Sequence, residues 1–127
     1  MTKNEQGEFI AAAADIISLG SGASIDFGDY DSDGDLDILV TGGYSAISTY
    51  YQVSRVYINN EGIFSNIGAD LIRIDNGSGR WVDFDNDGDL DIIISGWNRS
   101  EGGTLITKLY QNDGGSFIED YSIIPGY

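Results

Sequence analysis

Asp29-Tyr30-Asp31-Ser32-Asp33-Gly34-Asp35-Leu36-Asp37 returns as Asp83-Phe84-Asp85-Asn86-Asp87-Gly88-Asp89-Leu90-Asp91, from position 29 to position 83, an offset of 54. Each stretch carries aspartate at its odd positions and glycine at the sixth. The likeness spreads outward from there. Phe27 precedes the first stretch as Trp81 precedes the second, and Ile38-Leu39-Val40-Thr41-Gly42 follows the first as Ile92-Ile93-Ile94-Ser95-Gly96 follows the second. Further on, Val56-Tyr57-Ile58-Asn59-Asn60-Glu61-Gly62-Ile63-Phe64 parallels Leu109-Tyr110-Gln111-Asn112-Asp113-Gly114-Gly115-Ser116-Phe117. A partial third copy stands at the start, where Gly7-Glu8-Phe9 resembles Gly62-Ile63-Phe64 and Ala14-Asp15-Ile16 resembles Ala69-Asp70-Leu71. A period of this length marks a repeated supersecondary unit. Residues 1–127 therefore read as a single repeat domain: a partial outer strand over about 1–20, one full unit over about 21–75 and a second over about 76–127.

Each unit reads as four short strands. The first spans about Ala23–Phe27, and about Gly79–Val82 in the second unit. The second strands, Leu36–Thr41 and Leu90–Ser95, are runs of aliphatic residues without Pro or Gly, as expected of strands buried on both faces. The third strands, about Ser54–Asn59 and Thr107–Gln111, each end at a Gly-containing turn, a hairpin signal. The fourth are about Ile63–Ile67, continued near Leu71–Ile74, and Ser116–Tyr121. No stretch sustains a helical period; Phe9–Ile17, with its four alanines, suits either a strand or a short helix. Four strands per repeat of this length predict an all-β fold of two propeller-type blades plus one extra N-terminal strand. A continuous sandwich would explain the strands but not the 54-residue offset.

The Asp-rich stretches join the first strand of each unit to the second. Of 21 acidic residues, ten fall in these two windows: Asp29, Asp31, Asp33, Asp35 and Asp37, then Asp83, Asp85, Asp87, Asp89 and Asp91. Such crowding is repulsive unless a cation sits among the carboxylates. The chain has no Cys and no His, so thiolate and imidazole sites are excluded and hard oxygen ligands remain. Side chains at positions 1, 3 and 5, a backbone carbonyl from Asp35 or Asp89 at position 7, and both oxygens of position 9 closing the shell lead toward six or seven oxygens. That number suits Ca2+ better than the stricter octahedron of Mg2+, and two calcium sites per chain are expected. An EF-hand is excluded, because position 12 is Val40 or Ile94 where a bidentate Glu is needed, and both flanks read as strand.

These residues resemble the FG-GAP repeat of integrin alpha-subunit propellers and the related VCBS-type repeats. Phe27-Gly28 is similar to the Phe-Gly element; Trp81-Val82 stands there in the second copy without the glycine; the Gly-Ala-Pro element is not present, Gly68-Ala69 being at most a trace of it. The resemblance implies a closed propeller with calcium in each inner hairpin, an extracellular or cell-surface location, and a role in adhesion or ligand binding. Two blades do not close a ring. Assembly into a homo-oligomer is therefore expected, with three chains giving six blades or four giving eight; a fragment of a longer propeller is the alternative.

Net charge is −15, with six basic residues. Nucleic acid and anionic membranes would be repelled, and no apolar run approaches the length of a membrane span. Glu5 and Glu8 occupy positions where a signal peptide carries positive charge, so no leader is read. Candidate ligand contacts are Tyr44, Tyr50, Tyr51, Trp97 and Arg99, in the loops after the second strands. Aromatic and Arg side chains dominate binding hot spots, and a protein or a glycan is the ligand class they suit. No nucleophile–base pair is present, and an enzyme is not expected. A calcium-assisted polysaccharide-active enzyme would have to use Tyr, Arg or an unliganded carboxylate such as Asp26 or Asp75. A purely architectural scaffold is the third reading.

Overall fold

The computed structural model describes residues 2–3, 9–10, 19–20, 22–100 and 103–120. A short antiparallel ribbon of β1 (Thr2–Lys3) and β2 (Phe9–Ile10) comes first. The strand expected near Phe9 is thus present; Ala14-Asp15-Ile16 lies outside the described residues. Two four-stranded antiparallel meanders follow. The first holds β3 (Ser24–Gly28), β4 (Asp37–Ala46), β5 (Thr49–Asn60) and β6 (Ile63–Asn66) in that order. The second holds β7 (Asp75–Val82), β8 (Asp91–Asn98), β9 (Thr104–Asp113) and β10 (Ser116–Glu119). The described residues contain no α-helix, and no helix long and apolar enough to cross a membrane.

Three differences from the sequence reading have physical causes. First, β4 and β5 continue past Gly42 and Gly43 to a two-residue turn at Ile47-Ser48, both at positive φ (46° and 66°). That backbone hand matches the twist of a tight hairpin, although neither residue announces it. Second, Leu71–Ile74 is a connecting segment rather than a strand. Leu71 and Ile74 point into the core, and an apolar run reads alike for a strand and for a buried linker. Third, β7 starts at Asp75, with a register irregularity between Asp75 and Ser78 and Asn76 at φ 49°.

The main core lies between the two sheets. Leu39 and Val56 of the first sheet and Tyr30 from its Asp-rich loop meet Ile92, Ile94 and Tyr110 of the second, with Leu71 and Ile74 of the linker between them. Fully burying each such aliphatic side chain contributes about 1.5–3 kcal/mol. The sheets touch along β3, β4 and β7. There Gly79 leaves room for its neighbours: a Cβ on it would come within 3.0 Å of Leu39 Cδ2 and 3.1 Å of Thr41 Cγ2. Trp81 donates its backbone N–H to Asp26 Oδ2 (2.9 Å) and its indole N–H to Asp26 O (3.2 Å), and its ring stacks on Tyr30 (5.3 Å, 4°). A smaller cluster on the opposite face of the first sheet contains Ile38, Val40 and Tyr57, with Leu19 and Phe64 against it.

Candidate metal centre

Each Asp-rich loop bridges the first two strands of its sheet, β3 to β4 and β7 to β8. Its backbone is wound by its own first aspartate. Asp29 Oδ1 accepts from Asp33 N (3.1 Å) and Oδ2 from Gly34 N (2.8 Å), while Asp33 Oδ1 accepts from Asp35 N (2.9 Å). The second loop repeats this with Asp83, Asp87, Gly88 and Asp89 at 3.1, 2.9 and 2.9 Å. Ser32 and Asn86 share positive φ (58° and 61°), as do Gly34 and Gly88 (92° and 91°). A Cβ at either glycine would meet nothing within 4 Å, so backbone conformation, not space, calls for glycine here.

The winding gathers four carboxylates per loop. One oxygen from each of Asp29, Asp31, Asp33 and Asp37 lies within 4.8 Å of the others, and Asp83, Asp85, Asp87 and Asp91 do the same. Asp35 and Asp89 stand outside these groups; the Asp35 carboxylate instead accepts from Glu61 N (3.1 Å) in the β5–β6 turn. Sequence reasoning thus named every member of both clusters.

It missed the residue that holds each cluster's floor. Asp37 and Asp91 are fully buried. Asn59 donates its backbone N–H to Asp37 Oδ1 (2.9 Å) and its amide to Leu36 O (2.9 Å), and accepts from Gly62 N (2.7 Å). Asn112 repeats all three bonds, to Asp91 Oδ1 (2.8 Å), Leu90 O (3.0 Å) and from Gly115 N (2.8 Å). It adds a fourth, from its amide to Tyr30 O (3.2 Å), which ties the second sheet to the first loop. The recurrence of asparagine ahead of each turn was visible in the sequence, but Asn before Gly reads as turn chemistry alone.

The electrostatics follow from this packing. Burial pushes the Asp37 carboxyl up, against the pull of the Asn59 and Tyr30 N–H groups; burial likewise raises Asp91 against the Asn112 N–H. Asp31 is pushed up to about 6 by lost hydration within the cluster and by the charge of Asp37. Asp29 also loses hydration, but the Gly34 and Asp33 N–H groups outweigh that and hold it low. Burial and the neighbouring charges of Asp31 and Asp37 push the Tyr30 hydroxyl up to about 12. Four carboxylates gathered this closely repel one another, and a hard cation would relieve that repulsion. One observation beyond the charge count fits that: Asp91 Oδ2 is buried in the floor of the second cluster, where the Phe84 N–H draws on the carboxyl but makes no hydrogen bond of good geometry to this oxygen.

The other candidate contacts fall elsewhere. Tyr50 hydroxyl donates to Asp75 Oδ2, and Arg99 Nε donates to the same oxygen (3.0 Å) while its guanidinium lies over the Tyr50 ring (4.6 Å). Gln52 spans the two sheets, donating to Trp97 O and accepting from Arg99 N, both at 2.8 Å. Burial would raise Asp75, but the Tyr50 and Arg99 hydrogen bonds outweigh it and hold its carboxyl low. Tyr44 and Tyr51 stack on each other across β4 and β5 (5.2 Å). Thus Tyr50, Trp97 and Arg99 belong to an inter-sheet polar lock, while the Tyr44–Tyr51 pair lies on the hairpin surface. Comparison of the chain with protein-family models, with curated proteins and with solved structures returned no match.

Proposed function

We propose that the chain is a calcium-binding repeat module of the FG-GAP/VCBS kind, whose loops are clamped by the ion and whose role is structural, adhesive or ligand-binding. The observation that carries this is duplication of a whole arrangement: four converging carboxylates, the same loop winding and the same asparagine strut, at positions 54 or 53 residues apart. A solvated acidic loop has no reason to bury its ninth residue or to reproduce its backbone hydrogen by hydrogen. Asp29, Asp31, Asp33 and Asp37, and Asp83, Asp85, Asp87 and Asp91, would hold the ions. Bound calcium would supply positive charge among carboxylates that otherwise repel.

Two findings favour a non-enzymatic role. Asp26, one carboxylate considered for catalysis, accepts from Trp81 N and lies 3.8 Å from Arg80; Asp75, another, is buried under Tyr50 and Arg99. Both are occupied in joining the sheets. Loops of this exposure suit a calcium-rich extracellular or cell-surface setting. The exposed Tyr51, beside Tyr44, offers an aromatic surface to a glycan or protein ligand.

The deciding experiment is calcium titration by calorimetry with thermal unfolding in calcium and in chelator. Uptake of two ions per chain is expected. At about 100 times its dissociation constant, each independent site stabilises the fold by about 2.7 kcal/mol. Asp91→Asn should remove one of the two uptake steps and leave the other. No uptake, or unchanged unfolding in chelator, would end the proposal.

A further inference from the structure

The interface inside the chain joins two different faces. The first sheet contributes its back: Asp26, Leu39, Thr41 and the loop residue Tyr30. The second contributes its front: Gly79 and Trp81 on β7, with Ile92, Ile94 and Tyr110 behind them. Because the sheets are repeats, each also carries the counterpart of the face its partner uses. The front of the first sheet holds Ile25 and Phe27 where the second has Gly79 and Trp81, and Ile38, Val40 and Tyr57 where it has Ile92, Ile94 and Tyr110. The back of the second sheet holds Ile93, Ser95 and Phe84 where the first has Leu39, Thr41 and Tyr30.

Burial shows which half of each interface is already made. In the second sheet, Ile74 and Leu71 of the linker cover Ile92 and Ile94, and the first sheet covers β7. In the first sheet, Leu19 stands where Ile74 stands in the next repeat, and Ile38, Val40 and Tyr57 are buried. The strip that a neighbouring sheet would cover is open: Ile25 and Phe27 are 57% and 59% exposed. The back of the second sheet shows the complementary deficit. Leu39 and Thr41 are fully buried and Tyr30 nearly so, whereas Ile93 and Phe84 are half-buried and Ser95 is exposed.

We infer that these two open faces mate between copies of this chain: the back of one copy's second sheet packs on the front of another's first sheet, with Phe84 over Phe27 as Tyr30 lies over Trp81. The inference rests on the packing of one repeat on the next and not on the metal reading. The contact is head-to-tail, so each copy binds two others and association continues past the dimer. One position sets its strength. Asp26, which accepts from Trp81 N, is replaced on the second sheet's back by Arg80, which cannot accept. The contact between copies lacks that bond and is weaker than the one within the chain. Like charge also opposes it, so added salt strengthens it.

Sedimentation velocity of the whole chain in calcium buffer, from micromolar to millimolar protein, tests this with two surface variants. Phe27→Asp blocks the front face and Ser95→Arg the back. Wild type should form species larger than a dimer as concentration rises, and each variant alone should stay monomeric with unchanged circular dichroism. Mixed, the variants retain one intact back and one intact front, so they should form a one-to-one dimer and stop there. A wild-type monomer at every concentration, or a mixture that never pairs, overturns the inference. Calcium calorimetry on the same samples separates the two readings: a monomer that takes up calcium defeats only this one, and an assembly that takes up none defeats only the metal proposal.

Discussion

A buried aspartate does opposite things at two places in this chain. At Asp37 and Asp91 burial raises the carboxyl and the surroundings offer more negative charge. At Asp75, equally buried, a hydroxyl and a guanidinium converge on one oxygen and the carboxyl is held low. The second arrangement gives a signed prediction. A carboxyl lowered in the fold contributes stability that is complete above its unfolded pKa, about 3.9, and is lost as pH falls through the lower folded value. Asp75→Asn keeps the shape but removes the charge, and leaves Tyr50 and Arg99 a neutral amide oxygen in place of the carboxylate. It should cost about 1–3 kcal/mol at neutral pH, and the gap from wild type should shrink below about pH 4. Urea unfolding of both proteins at about pH 7 and pH 3 reads it. The residues of this lock were visible in the sequence only as separate candidates. Nothing in a linear reading brings Tyr50 to Asp75 across 25 positions, because the approach depends on how one sheet lies on the next.

At the scale of elements, the sequence carried the strands well because the apolar pattern and the Gly turns agree. It carried their ends poorly. Gly42 and Gly43 look like a stop, yet β4 runs through them, since a hairpin partner already pairs those positions. The clustering of carboxylates in the Asp-rich loops was legible because their spacing is a local property. The asparagine struts were not, because Asn59 and Asn112 act only once β5 and β9 have folded back beside β4 and β8. The element most dependent on such packing is the first loop. Tyr30 is nearly buried, stacked on Trp81 and tilted against Phe117 (5.5 Å). Tyr30→Ala should destabilise the chain by about 3 kcal/mol, in the range of large-to-small aromatic deletions. Because the loop's own carboxylates are untouched, the number of ions taken up should not change. Chemical denaturation and calorimetry on the one variant check both halves.

Across the whole molecule, the two repeats are unequal partners in one interface, and most contacts that define it lie far apart in the chain. The bond from the Asn112 amide to Tyr30 O closes 82 positions, and the bonds from Trp81 to Asp26 close 55. By contrast each sheet is a meander of neighbouring hairpins. The kinetic consequence is an order of events. Hairpins close in microseconds, whereas contacts across long chain separations come late, after the entropy of the intervening loop has been spent. Contacts absent from the folding barrier govern how fast a protein falls apart rather than how fast it assembles. In a chevron experiment, Asn112→Ala should therefore steepen escape from the native state by raising the unfolding rate, with the refolding rate close to wild type. A strut that looks like a loop detail is on this view a latch on the lifetime of the folded chain.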